Sequence, residues 1–309
     1  MTYASAGLIQ ATDYNALGWT NPSIGGHWGI GSGAYGLGQS TTNFAQVAAT
    51  NGITAAQWTG LISAINSCLA HEGQATITPT SVAAGALITY YSSIATGSQT
   101  AYNNSGTTGI ALIDSAPSAT TYATAWGNTG SRSLVFTRSV TFASGDAARY
   151  FFNAGGKIKL TFSRSGGSAT TRNTEWATLC SDVGTITMGW KNTTKVGGAG
   201  ATPLTVLNTN NGGYWAGSGA YVVHFKQLDN VGSYSNNYIQ VEYYWSGTVS
   251  NGGYPVLNIK CTLVNVWTNA FQDTTDGTYT NNIVVSSPAT TYLANSWGTP
   301  TVGGSAAAV

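Results

Sequence analysis

The spacing in this chain that most resembles a chemical motif is Gly31-x-Gly33-x-x-Gly36. In a dinucleotide-binding unit such glycines let the backbone approach a pyrophosphate. That reading requires a preceding strand, a following helix and an acid about 20 residues further on. No Asp or Glu lies between Asp13 and Glu72. The segment therefore reads as a Gly-rich loop, with five glycines from Gly29 to Gly38, ordered and packed through Tyr35 and Leu37 onto a neighbour.

The ten acids are scattered, and no local pattern marks the paired carboxylates that glycoside hydrolysis needs. Asp273-x-x-Asp276-Gly277 places oxygens near a turn but falls short of a twelve-residue calcium loop. His27, His71 and His224 lie far apart, and each reads as structural: His27 in the Gly-rich region, His71 at a helix end, His224 on the polar face of a strand. No nucleophile elbow, zinc-protease helix or phosphate loop occurs. The expectation is a chain with no catalytic, cofactor or metal site.

The composition bears on partners. Of 309 residues only 7% are charged, against about 25% in an ordinary soluble protein, and the formal net charge is +1. Nucleic-acid binding needs a basic excess that is missing here. Disorder needs low hydrophobicity, whereas 42% of this chain is apolar. So little charge protects poorly against association and points to a component of an assembly. Cys68, Cys180 and Cys261 are widely spaced and read as reduced, buried thiols. The N-terminus lacks the pattern of a secretory signal, and no apolar run approaches a membrane helix. The expected site of synthesis is a cytoplasm, without membrane insertion.

The elements that must position these residues divide by charge. No Lys or Arg precedes Arg132, and all eleven basic residues lie between Arg132 and Lys260. In the first part, Thr54 and Gln57 form a capping box, and Leu61, Ile62, Ile65 and Leu69 continue an apolar stripe that Gly73 ends. Leu87, Tyr91 and Ile94 allow a short helix between Gly85 and Gly97, and Thr96 to Gly109 reads as a loop or connector. From Arg132 the period becomes two. Leu134, Phe136, Val140 and Phe142 share a face with Arg138 between them. Ile158, Leu160 and Phe162 alternate with Lys157, Lys159 and Thr161, and Ile239, Val241, Tyr243 and Trp245 with Gln240, Glu242 and Tyr244. Similar runs centre on Met188, Val223 and Ile259, with Gly pairs such as Gly155-Gly156, Gly166-Gly167, Gly212-Gly213 and Gly252-Gly253 among them. The expected fold is mainly β: an antiparallel β-sandwich or jelly-roll-like C-terminal domain with a small helical, Gly-rich N-terminal unit. The expected divisions are a helical attachment unit over 1–75, a connector over 76–130, the sandwich over 131–290 and a C-terminal tail over 291–309, flexible from Gly303 to Val309.

Two stretches carry a family resemblance. The first holds Ala11-Thr12-Asp13-Tyr14-Asn15-Ala16-Leu17, then Tyr35-Gly36-Leu37-Gly38-Gln39-Ser40, then Ile53-Thr54-Ala55-Ala56-Gln57-Trp58 and His71-Glu72-Gly73. The second holds Phe151-Phe152-Asn153-Ala154-Gly155-Gly156, Ser163-Arg164-Ser165-Gly166-Gly167 and Asn173-Thr174-Glu175-Trp176. In order and kind these resemble a family of virion structural proteins of tailed phages, of the myovirus type that infects marine and freshwater bacteria. The chain departs from that family at Leu37, where tyrosine is common, and at Ala70, where a basic residue is common. The resemblance implies a non-enzymatic virion part, with the Phe151 segment opening the large β region. A tail-associated fibre or baseplate component comes first, and a capsid decoration or neck fibre protein next. The implied partners are other virion proteins.

Two sets of aromatics are candidate contacts. Tyr14, Trp19, Trp28, Tyr35 and Trp58 lie in the part poor in charge and are candidates for assembly with identical subunits, as a symmetric oligomer and by analogy a trimer. Trp190, Trp215 and Trp245 in the β part are candidates for stacking on a host surface glycan. The bland alternatives are aromatics that fill the core and an N-terminal unit that packs on its own β domain. A hydrolase of host polysaccharide is the remaining rival.

Overall fold

Alternation of apolar and polar residues becomes alternation of buried and exposed ones in a computed structural model of the chain. It describes residues 11–19, 24–84, 91–128, 132–198, 206–207, 213–214, 219–229, 232–266 and 274–309. One antiparallel sheet contains β1 (Ile113–Asp114), β2 (Ser118–Tyr122), β4 (Lys157–Ser165), β5 (Thr185–Met188), β6 (Thr193–Val196) and β11 (Thr278–Ser287). Its order is β1-β11-β4-β5-β6, with β2 also against β11. The second sheet contains β3 (Ser133–Thr141), β7 (Val206–Leu207), β8 (Val222–Leu228), β9 (Tyr238–Ser246), β10 (Val256–Val264) and β12 (Thr301–Ala308). Its order is β12-β3-β10-β9-β8-β7. The inner faces pack as a β-sandwich: Leu134, Phe136, Ile239, Val241, Leu257 and Ile259 from the second sheet face Ile158, Leu160 and Ile283 from the first. All three cysteines are free and buried in this interior or under the helices.

Arg138 sits on the inner face of β3, in phase with its apolar neighbours. Its guanidinium donates to the carbonyl oxygens of Asn281 (2.7 Å), Ser118 (2.8 Å) and Gly303 (3.2 Å). One buried cation thus joins strands of both sheets through backbone acceptors, which replace the water it loses.

Two helices close the ends of the sandwich. In α5 (Gly145–Asn153), Ser144 caps the first turn by accepting from the Ala147 N–H. Phe151 and Phe152 of this helix pack with Phe142, Tyr214 and Trp245. At the other end lies α6 (Thr171–Asp182), capped by Thr170, with Trp176 against Trp126 and Tyr279. The Phe151–Asn153 segment is therefore helical and follows β3, and does not open the β region as the resemblance implies.

The N-terminal part is helical: α1 (Ala11–Trp19), α2 (Ile24–Trp28), α3 (Ala55–His71) and α4 (Tyr91–Asn103). The Thr54–Gln57 capping box forms, with Gln57 N–H donating to Thr54 Oγ1 (3.2 Å) and Thr54 N–H to Gln57 Oε1 (2.8 Å). Trp58, Leu61, Ile62, Ile65, Cys68 and Leu69 are its buried stripe. Gly73, at φ +74°, ends the run.

Four expectations are corrected. The loop expected from Thr96 is helical to Asn103, because Ile94, Gly97, Ser98 and Ala101 form a buried stripe of small residues against α3. A Cβ on Gly97 would meet Ile77 at 2.7 Å, so the close approach needs glycine. Leu87 of that expected helix and its bound Gly85 lie outside the described residues, as does Gly212 of the Gly pairs. The supposed tail contains β12, paired with β3 from Thr301↔Thr141 to Ala308↔Leu134. Its glycines and alanines mask the alternation, yet Val302, Ala306 and Ala308 lean on the core. His224 is buried rather than on a polar face, because the register slips between Val223 and Phe225 and turns it inward onto Tyr243. The stretch expected as a connector also supplies β1 and β2. No helix among the described residues is long and apolar enough to cross a membrane.

The inward register of β4 is testable. Leu160→Asp would bury an unpaired carboxylate at a site 2% exposed, and we expect a loss of several kcal/mol by denaturant melting. Lys157→Ser, on the exposed face, should stay within about 0.5 kcal/mol of the parent. Equal melting of the two variants would overturn this register.

Candidate functional site

The Gly-rich loop is built to show its carbonyls to α5. Leu37 and Gly38 N–H both donate to the Gly29 carbonyl (3.1 and 2.8 Å), which doubles the chain back. Gly31 and Gly36 adopt φ of +57° and +106°, and a Cβ on Gly36 would meet the Ile30 carbonyl oxygen at 2.1 Å. This bend turns the Tyr35 carbonyl toward Arg149 Nη1, with which it makes a short hydrogen bond, and the Gly36 carbonyl toward Asn153 Nδ2 (2.9 Å). A phosphate cradle presents backbone N–H groups to its ligand. Here two carbonyls are presented to an arginine and an amide of the same chain.

Arg149 is completely buried, and its Nη2 donates to Asp146 Oδ1 (2.7 Å). Burial pushes the Asp146 carboxyl up, but hydrogen bonds from Arg149, Ser250 and Asn251 outweigh that and hold it below the usual range. Further bonds complete the junction. Gly106 N–H donates to the Asn153 carbonyl (2.6 Å), and His71 Nε2 lies 2.9 Å from the Ala154 carbonyl. The helical part therefore packs on its own β domain through α5. The neighbour expected for the loop is this helix, together with α4, where Tyr102 stacks on Tyr35 at 3.7 Å.

Beside this junction, His27 Nε2 and Glu72 Oε1 lie 3.0 Å apart with both residues buried. Burial raises the Glu72 carboxyl to about 9. Burial first, and then His71, lowers His27 to about 3. Two charges in this interior would each lose hydration, so the contact is a neutral one between a protonated Glu72 carboxyl and an uncharged imidazole. The Cys68 thiol, pushed up by burial and then by Glu72, stays protonated alongside. Neither histidine approaches His224, so the three histidines form no common site. Among the described residues no cluster of His, Cys, Asp and Glu could hold a metal ion. Asp276 accepts from the Ser168 N–H and from Arg164 and so clamps a turn, while Asp273 lies outside the described residues.

The candidate contact aromatics separate into three groups. Tyr14 and Trp58 pack edge to face at 5.2 Å in the helical core, and Trp245 is 1% exposed among Phe142, Phe152 and Tyr214. None of these three can meet a subunit or a sugar without opening the core, which corrects their assignment. Trp28, Tyr35 and Trp190 are half-buried. Trp28 Nε1 donates to the Ser40 carbonyl (2.8 Å), and Trp190 lies against Gly106 with Lys191 Nζ 4.1 Å from its ring centre. The Trp19 side chain and Trp215 lie outside the described residues.

The outer face of the second sheet carries aromatics that the sequence reading passed over. Tyr238, Gln240, Glu242 and Tyr244 alternate with the buried phase of β9. Tyr221 packs edge to face on Tyr244 at 4.6 Å, and Lys260 joins Glu242 (2.8 Å) while lying 4.6 Å over Tyr221. Lys226 lies 3.8 Å over Tyr238. Tyr244 was visible in the sequence as the aromatic out of phase with the core. A flat face of rings, amides and paired charges suits contact with another surface or with a hydroxylated chain.

Compared with known proteins, the chain matches no family model, no curated protein and no solved structure.

Two measurements test the junction. Gly36→Ala should undock the loop, with a loss of several kcal/mol and faster protease cleavage between Gly29 and Gly38 than in the parent. Parent-like melting and cleavage would show that the close approach is absent. The second test is pH. Between the ordinary value of His (about 6.5) and the raised Glu72 value (about 9), the folded state holds a proton that the unfolded chain releases. The contribution of Glu72 is thus full below its ordinary value and falls as pH rises toward 9. The depressed His27 contributes above its ordinary value and loses that contribution as pH falls toward 3. Together the pair is best near pH 4.5–6.5. Glu72→Gln keeps a neutral donor and should flatten the alkaline limb in pH-dependent melting. An unchanged limb would mean that Glu72 is ionised in the fold.

Proposed function

We propose that this chain is a non-enzymatic structural component of a tailed-phage virion, made in the host cytoplasm and carried in the tail as a fibre or baseplate-associated part. Capsid decoration or a neck fibre is the next place for it. One observation carries the reading. The segments on which the resemblance rests, around Tyr35–Gln39, His71–Gly73 and Phe151–Gly156, are far apart in sequence and meet at one junction. Motifs that specify how two units lock together belong to a part whose shape is its function.

For assembly with identical subunits, the N-terminal unit still offers half-buried Trp28 and Tyr35, with Ile30 64% exposed beside them. A second reading, recognition of a host surface glycan, is favoured by the outer-face tyrosines Tyr221, Tyr238 and Tyr244 more than by the buried Trp245.

Quantitative mass spectrometry of purified particles tests the first reading. We expect the chain at a copy number matching a symmetric ring or fibre set, with antibody label on the tail in electron micrographs. Absence from washed particles would overturn the proposal. A glycan array with the parent and Tyr244→Ala separates the second reading, which expects binding that the variant weakens at least tenfold.

A further inference from the structure

Three arginines are buried to 1% exposure or less: Arg138, Arg149 and Arg172. The first donates to three backbone carbonyls. The second has Asp146 and the Tyr35 carbonyl. Arg172, in the first turn of α6, has a single long contact, Nη1 to the Gly127 carbonyl at 3.5 Å. Its Nε and Nη2 are buried and have no acceptor among the described residues, and it makes no ion pair there.

Nε–H and Nη2–H form one edge of the guanidinium, the edge that grips both oxygens of a carboxylate. One face of the group is covered, since its carbon lies 4.9 Å over the Tyr234 ring centre. Glu175, one turn along α6, accepts from the Tyr234 N–H (3.1 Å). Other buried polar atoms at this end are also unmatched, among them the Asn265 Oδ1 acceptor and the Tyr279 hydroxyl. The indole N–H groups of Trp126 and Trp176 are buried without a partner, and the two rings lie 5.2 Å apart. Trp126 adjoins Gly127, and Trp176 follows Arg172 by one helical turn. Asn265 spends its own amide N–H on the Gly127 carbonyl (2.6 Å), so that acceptor is shared. A buried cation and unfilled N–H donors call for negative charge, since each unmatched group costs desolvation energy that nothing returns.

We propose that Arg172 anchors an anion site at the end of the sandwich closed by α6, and that the site takes a small carboxylate or other oxyanion on the Nε–Nη2 edge. The site is independent of where the chain resides, and it would serve either a free anion or the carboxylate of a partner.

Thermal melting of the full chain tests this at constant ionic strength, with sodium acetate or sodium phosphate replacing sodium chloride. Specific binding to the folded state raises Tm with concentration and then follows a logarithmic course. We expect that rise with acetate, the planar anion that fits the edge, and a smaller one with phosphate. A larger rise with phosphate that Arg172→Lys retains is the general salting-out action of that anion and would overturn the proposal, whereas one that the variant loses supports an oxyanion site without a planar preference. Arg172→Lys keeps the charge but not the two-pronged edge and should weaken the acetate response at least tenfold. Should that variant fail to fold, the parent suffices: acetate binding should change the emission of Trp126 and Trp176, and the change should saturate over the same range as Tm. An acetate response equal to that of chloride, or one retained by Arg172→Lys, would overturn the proposal.

Discussion

The contact between α5 and the Gly-rich loop governs the rest of this structure. Nine residues, Gly145–Asn153, serve two interiors at once. The aromatic side of the helix, Phe151 and Phe152, completes the sandwich core against Phe142 and Trp245. Its polar side, Arg149 and Asn153, takes the carbonyls of Tyr35 and Gly36. A loop can bring two successive carbonyls to one helix face only if its backbone enters conformations closed to residues with a Cβ, which is why glycine stands at positions 31 and 36. The helical unit is thereby held by backbone acceptors whose places are set by the fold, met by two buried side chains of α5.

The same logic explains how a chain with only 7% charged residues can bury so many of its arginines. Carbonyl oxygens are rigid acceptors with no entropy to lose. A guanidinium that meets three of them, as Arg138 does, recovers much of the hydration it gives up. Where acid is used, at Arg149, it comes from the same turn of helix and is braced by Ser250 and Asn251. Arg172 departs from this pattern, with neither an acid nor a set of carbonyls on its free edge. Arg149 also has an unpartnered Nε but keeps an acid on Nη2 and a carbonyl on Nη1, so Arg172 is the least matched of the three buried arginines.

How much was legible in the sequence depended on side-chain size. Alternation in β3, β4, β9 and β10 was plain because Leu, Ile, Val and Phe contrast with Lys, Thr and Asn. In β12 and α4 the covered positions hold one branched residue each, Val302 and Ile94, and are otherwise Ala, Gly or Ser, so the same geometry leaves little hydropathy signal. His224 escaped because a bulge changes phase without changing composition. The capping box at Thr54 was readable since it needs only two residue types at a fixed spacing. The junction was not, because Arg149 and Asn153 meet a loop more than a hundred residues earlier, and nothing local announces that partnership.

The aromatics show the difference between counting residues and following their phase. Trp245 shares the phase of Ile239, Val241 and Tyr243 and so is committed to the core, whatever its suitability for stacking on a sugar. Tyr244, next in the chain, has the opposite phase and stands on the outer face. The lysines over its neighbours supply charge there without being buried, since Lys260 is matched by Glu242 and Lys226 rests on Tyr238. Rings set among amides on a rigid sheet lose little freedom on contact, which favours recognition of an extended surface over a small molecule. A chain whose interior spends its polar groups on locking two units together carries its unburied rings out of phase with that interior, on the outer side of β9.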